Sequence, residues 1–169
     1  MQISMYNASV PQLAKMLRNL SGLLDKAAAH CETRKIDPKA LLEARLSPDM
    51  FTFTKQVQIA ADFAKNCAAR LAGVEPQRFE DTEASFAELK ARIDRTLDYM
   101  KQFGPDRIDG SEDRVITYKL GGKERTFKGH AYLVQFTHPH FYFHAATAYD
   151  ILRERGVDVG KKDFVGAVE

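Results

Sequence analysis

Pro139-His-Phe-Tyr-Phe-His-Ala-Ala-Thr-Ala-Tyr-Asp-Ile-Leu-Arg-Glu-Arg-Gly156 decides how this chain is read. A proline opens the stretch and a glycine closes it, the usual punctuation of one helix. Phe141, His144, Ala148 and Ile151 are spaced alternately three and four apart, so they form one buried stripe. His140 and His144 stand one turn apart on the same face, and His138 directly precedes the helix. Four of the five histidines fall between His130 and His144, so any chemistry is expected here.

Working outward, three earlier segments repeat the helical period. Val10, Leu13, Leu17, Leu20, Leu24, Ala27 and Cys31 predict a first long helix over about Ser9 to Cys31, with Ser9 as N-cap and Pro11 in the first turn. Asp37-Pro38 starts a short helical turn that Ser47-Pro48-Asp49 ends, with Asp49 available as an N-cap. Phe53, Val57, Ala60, Ala64, Cys67 and Leu71 predict a second helix over Phe51 to Leu71, stopped by Gly73. Phe86, Leu89, Ile93, Thr96, Met100 and Phe103 predict a third, from near Thr82 to just before Gly104-Pro105. Each of the three is about 22 residues, or about 33 Å at 1.5 Å per residue. The expected architecture is all-α, a four-helix bundle.

The period changes before the fourth helix. Val115–Leu120 and Lys123–Phe127 flank Gly121-Gly122, a hairpin signal placed in the crossover. Residues 131–136 fit either a helical turn or an extended segment. The tail, Val157 to Glu169, is too short for a domain and is expected to lie along the bundle. One domain, 1–169, accounts for the chain.

Composition excludes several classes. There are 25 basic and 23 acidic residues, interspersed, so no concentrated basic face suits a nucleic acid. No run of 18 apolar residues exists, which argues against a membrane span, and Met1 to Tyr6 lacks the pattern of a signal peptide. Cys31 and Cys67 sit in helical patterns and read as buried free thiols of a cytosolic protein. Gly156-Val-Asp-Val-Gly-Lys-Lys162 has three residues between its glycines where a phosphate-binding loop needs four, and it follows a helix.

His140 and His144 could share a metal ion, but a catalytic metal usually takes three protein ligands. Gln56, Gln58 and Asp62 on the second helix are the polar groups offered from elsewhere. Asp62 reads otherwise as a polar core contact or surface residue. Phe141-Tyr-Phe143 reads as packing, or as the wall of an apolar pocket beside the histidines.

Ala44-Arg-Leu-Ser-Pro-Asp-Met-Phe51, Lys55-Gln-Val-Gln-Ile-Ala-Ala-Asp62, Arg70-Leu-Ala-Gly73 and Phe141–Arg153 with Gly156-Val and Gly160-Lys161 resemble one bacterial family of unknown function. That family is similar in fold to the DinB/YfiT-like metalloenzymes. The resemblance implies a four-helix bundle of that type with an unusual connection before the last helix, and a homodimer. It also implies a divalent metal (Zn, Ni or Fe) held by one histidine on the second helix and an HxxxH pair on the fourth, and a thiol-dependent transferase or isomerase activity. His140 and His144 match the pair in spacing. The second helix has no histidine, and Gln56 stands near the corresponding place. The expectation is a cytoplasmic bundle with a pocket formed by Gln56, Asp62, His140 and His144, binding an unidentified small molecule with an incomplete or absent metal site. The rivals are a metal-dependent transferase or hydrolase using His140 and His144, and a dimeric scaffold without an active site.

Overall fold

The structure, a computed structural model, describes residues 3–120 and 122–167. Met1 and Gln2 of the start, Gly121 of the hairpin turn, and Val168 and Glu169 of the tail lie outside the described residues. The chain is mostly helical with one two-stranded antiparallel sheet. No helix among the described residues is long and apolar enough to cross a membrane.

Helix α1 (Met5–Ala8) and helix α2 (Val10–Arg34) meet at a bend on Ser9. Ser9 holds the N-cap position but does not cap, because its hydroxyl donates backward to Met5 O at 2.6 Å. The expected stripe from Val10 to Cys31 is buried throughout. The helix runs past Cys31 to Arg34 and ends on Lys35, which is left-handed at φ 54°. That end normally takes glycine, since a Cβ crowds the backbone there. Lys35→Gly is therefore expected to raise stability by about 0.5–1 kcal/mol, seen as a higher urea midpoint. An unchanged or lower midpoint would count against strain at this site.

Helix α3 (Pro38–Leu42) is capped by Asp37, whose carboxylate accepts from Lys39 N at 2.9 Å. Helix α4 (Phe53–Leu71) starts two residues later than the stripe suggests. Thr52 caps it through Lys55 N, whereas Asp49 accepts from the Ser47 hydroxyl at 2.6 Å and caps nothing. Residues 72–85 have no regular structure, so the third long helix, α5 (Phe86–Met100), starts after Ser85 and not near Thr82. Ser85 accepts from Glu88 N, and the Glu88 carboxylate accepts from Ala84 N–H, which fixes that boundary. The three helices are unequal, at 25, 19 and 15 residues, not matched near 22.

Helix α6 (Pro105–Ile108) leads into strands β1 (Val115–Leu120) and β2 (Lys123–Lys128). Leu120 pairs with Lys123, and Gly122 takes φ +77°. The inner face of the hairpin turns Ile116, Tyr118 and Phe127 onto the helices.

The last long helix begins earlier than its proline. Helix α7 (Gly129–Ala131), a π-helical turn over Tyr132–Thr137 and helix α8 (His138–Glu154) form a continuous helical run. Pro139 therefore lies inside the run and does not open it. Within a regular α-helix its ring would strike the carbonyl four residues back. The wider turn, with His138 N–H bonded five residues back to Leu133 O, spreads those carbonyls and admits the ring. This also settles residues 131–136 as helical. Gly156 (φ +79°) follows the end of α8, and helix α9 (Lys161–Val165) packs back on α2.

Helix α4 is the centre of the packing, lying on α8, α5 and α2. Its alanines 60, 61, 64 and 68 are fully buried, which lets those neighbours come close. Helices α4 and α8 run antiparallel. Gln56 faces His144 at one end of their seam, and Arg70 faces Tyr132 at the other.

Candidate functional site: a histidine pair on the α4–α8 seam

His144 reaches the seam because it lies on the buried stripe of α8, and only 9% of it is exposed. Its Nδ1–H donates to Gln56 Oε1 at 2.6 Å. The amide is oriented for this role, since Gln56 Nε2 donates to Phe51 O at 3.4 Å. Gln56 is thus not a substitute metal ligand; it holds the ring of His144 from behind. Burial, with the neighbouring His140 adding to it, pushes the His144 pKa down to about 4 from 6.5. At neutral pH the ring is uncharged, with its proton on Nδ1 and a lone pair on Nε2.

His140, half-buried one turn earlier, is anchored in the same way. Its Nδ1–H donates to Phe136 O in the π-helical turn at 2.7 Å. Phe136 also packs on the ring, with centroids 4.4 Å apart. Phe63 of α4 stacks on both imidazoles, at 5.0 Å and 25° for His140 and 5.9 Å and 18° for His144. Phe143, 54% exposed, meets His144 edge-on at 5.3 Å. Neither Nε2 has a hydrogen-bond partner among the described residues, and neither is among the buried polar atoms left unpaired, so both are reached by solvent. His138 Nε2, by contrast, is buried without a partner, and burial lowers the pKa of that histidine.

The sign of the His144 shift makes a pH prediction. The native ring resists a proton that the unfolded ring accepts. Its contribution is therefore complete above about 6.5 and is lost as pH falls from there through about 4. We expect His144→Gln to flatten the acid limb of stability between those values, by on the order of 3 kcal/mol at most. Parallel limbs for wild type and variant in urea titrations would refute this.

The structure brings Gln56, His140 and His144 together and sends Asp62 elsewhere. Asp62 Oδ1 lies 3.1 Å from Lys65 Nζ and 3.1 Å from Arg92 Nη2 of α5. Arg92 is 1% exposed and also pairs with Asp81 at 2.9 Å and Glu83 at 3.1 Å. This charged cluster ties residues 72–85 to α4 and α5. His30, near the end of α2, lines a separate depression with Lys26, Thr33, Arg34 and Asp158.

A resident transition metal needs a third donor near the pair. Among the described residues no three His, Cys, Asp or Glu side chains are grouped to hold one. From α4 the histidines meet an amide already committed to His144 and the face of a phenyl ring. The residues present do not fit a bound transition metal. Cys67 offers nothing more, since burial pushes its thiol up to about 12.

Sequence reasoning missed Phe63 and the Arg92 cluster. Phe63 was findable, because it lies seven residues after Gln56 and so on the same face of α4. The cluster was not, because it joins residues from a connection without any period.

A family described as a domain of unknown function, DUF1993, matches residues 5–165. The crystal structure of a DinB family member from Shewanella denitrificans is similar to the chain with a TM-score of 0.87 and 39% identity, over 96% of this chain and 92% of that one. No curated protein matches the chain.

Proposed function

The chain belongs to the DUF1993 family, a DinB-like family of unknown function, and we propose that it is a metal-independent small-molecule-binding protein. In this reading α2, α4, α5 and α8 are the four members of a bundle, and the ligand docks on the seam between α4 and α8. One observation carries the reading: both imidazoles are anchored through Nδ1, and both Nε2 atoms are reached by solvent without a protein partner. Core histidines that serve packing alone have no need of two open lone pairs on one face. Phe63, Phe136 and Phe143 supply the apolar walls that a small ligand needs beside a few placed polar groups.

Two measurements test this. Untagged protein incubated with Zn²⁺, Ni²⁺ or Fe²⁺ and then desalted should hold less than about a tenth of a metal ion per chain. Stoichiometric metal would replace this reading with a metalloenzyme. In a thermal-shift screen of metabolites and thiols, compounds that raise Tm for wild type should fail to do so for His140→Gln. Shifts of equal size in both proteins would move the binding away from the seam.

A further inference from the structure

We infer that the ligand of this histidine pair carries a protonated nitrogen with at least two N–H donors, a primary ammonium or an amidinium, on an apolar or aromatic body. The inference rests on the small-molecule reading above and names its ligand class. A neutral imidazole has one donor and one acceptor. In both rings the donor is already used, by Phe136 O for His140 and by Gln56 Oε1 for His144. What both rings offer outward is therefore a lone pair. His140 and His144 are four apart on one helix, so both rings stand on one face of α8, and Phe63 stacks on both.

A ligand that bridges them must donate twice. A carboxylate or phosphate brings only acceptors and would face lone pairs without a proton between them. An anion would also need a cation, and those of α4 are committed. Lys55 is paired with Asp81, and Lys65 with Asp62 and Gln77 O. The Arg70 guanidinium lies over the Tyr118 ring and donates to Tyr132 Oη at 3.0 Å. The groups that do surround the pair are Phe63, Phe136 and Phe143, whose rings favour a cation and an apolar body over an anion.

The test uses three probes of one shape on the full chain: benzylamine, benzyl alcohol and benzoate. With ¹⁵N-labelled histidine at mildly alkaline pH and with EDTA present, the Nε2 resonances report on their own lone pairs. Benzylamine is expected to move the Nε2 signals of both His140 and His144 saturably. It should bind at least about tenfold tighter than benzyl alcohol, and benzoate should move neither signal. His140→Gln and His140→Phe should each weaken benzylamine by about tenfold or more. Two replacements are used so that one misfolded variant does not decide the matter. Benzoate binding at the histidines as tightly as benzylamine overturns the donor assignment and leaves the small-molecule site standing. No movement with any probe overturns both. Benzylamine binding that survives both variants places the amine elsewhere and overturns the inference.

Discussion

Arg92→Ala is expected to destabilise the protein by about 3–5 kcal/mol, the range found when one partner of a buried ion pair is removed. The Arg92 side chain is fully buried and faces Asp62, Asp81 and Glu83, and its Nη1 also donates to Glu80 O at 3.0 Å. Without it, Glu83, whose side chain is 7% exposed, keeps the amide of Gln58 as its one side-chain partner among the described residues, and the three carboxylates repel one another. Asp62 and Asp81 are about one-third exposed, so water screens part of the loss and the lower end of the range is the better figure for them. The consequence should be local as well as global. Residues 72–85 have no helix or strand of their own, and this cluster holds them down together with buried Phe79 and the bonds of Gln77 to Lys65 and Tyr99. Their amides should exchange faster in the variant than those of α2.

The acid dependence has a definite sign. Desolvation alone would raise the pKa of Asp81, but Lys55 and Arg92 outweigh it and hold the carboxyl below 3.8. Its contribution is therefore present above the ordinary value and is lost as pH falls through the lower native one. The gap between wild type and Arg92→Ala should narrow in that acid window. A urea midpoint within about 1 kcal/mol of wild type at neutral pH would mean the cluster is solvated and not structural.

Gly129→Ala is expected to cost about 3 kcal/mol or more, at or beyond the upper end for overpacking. A Cβ at this position would lie 1.9 Å from Ser111 O and 3.0 Å from Ser111 C, and both are backbone atoms. No side-chain rotation relieves such an overlap. The backbone of Ser111 and Glu112 would have to move, breaking the bond from His130 N to Glu112 O at 2.9 Å. Gly129 also joins the hairpin to the helical run that carries the histidines, so the damage should reach the site. In Gly129→Ala the bond from His140 Nδ1 to Phe136 O should loosen, visible as a shifted His140 Nδ1 signal. A variant with wild-type stability and an unmoved signal would refute the close approach.

Much of the fold was readable in the chain because its causes are local. Every residue of the four stripes, from Val10 to Cys31, Phe53 to Leu71, Phe86 to Phe103 and Phe141 to Ile151, is buried. A helix shows the same face every three or four residues, so the apolar spacing reports the buried side before any partner is known. The hairpin was legible from β-branched and aromatic residues on either side of two glycines. The errors also have local causes. Helix α5 begins after Ser85 and not near Thr82, because Ser85 with Glu88 three residues on forms the cap. Helix α8 was started late because Pro139 resembles an N-terminus, and a π-helical turn that accommodates a proline leaves no periodic signal.

At the candidate site, His140 and His144 were visible as a pair on one face, and Gln56 as the polar group opposite. The role of Gln56 was not, since whether an amide faces a metal or the back of an imidazole depends on where Phe51 O orients it. Asp62 shows the same limit. It lies six residues after Gln56 on the same helix, and a turn of 100° per residue carries it away from the histidines to Arg92. By itself, then, the sequence determined where the four long helices lie, which of their faces are buried and that two imidazoles share a face, because these depend on neighbours a few residues away. The tertiary structure alone decided which nitrogen of each ring is tied down, that a phenyl ring and not a third ligand meets the pair, and that a buried arginine holds the long connection. Most of those outcomes depend on contacts between separate elements, such as Gln56 with His144 or Asp62 with Arg92, and the short bond from His140 to Phe136 depends on a π-helical turn, so no local apolar period encodes them.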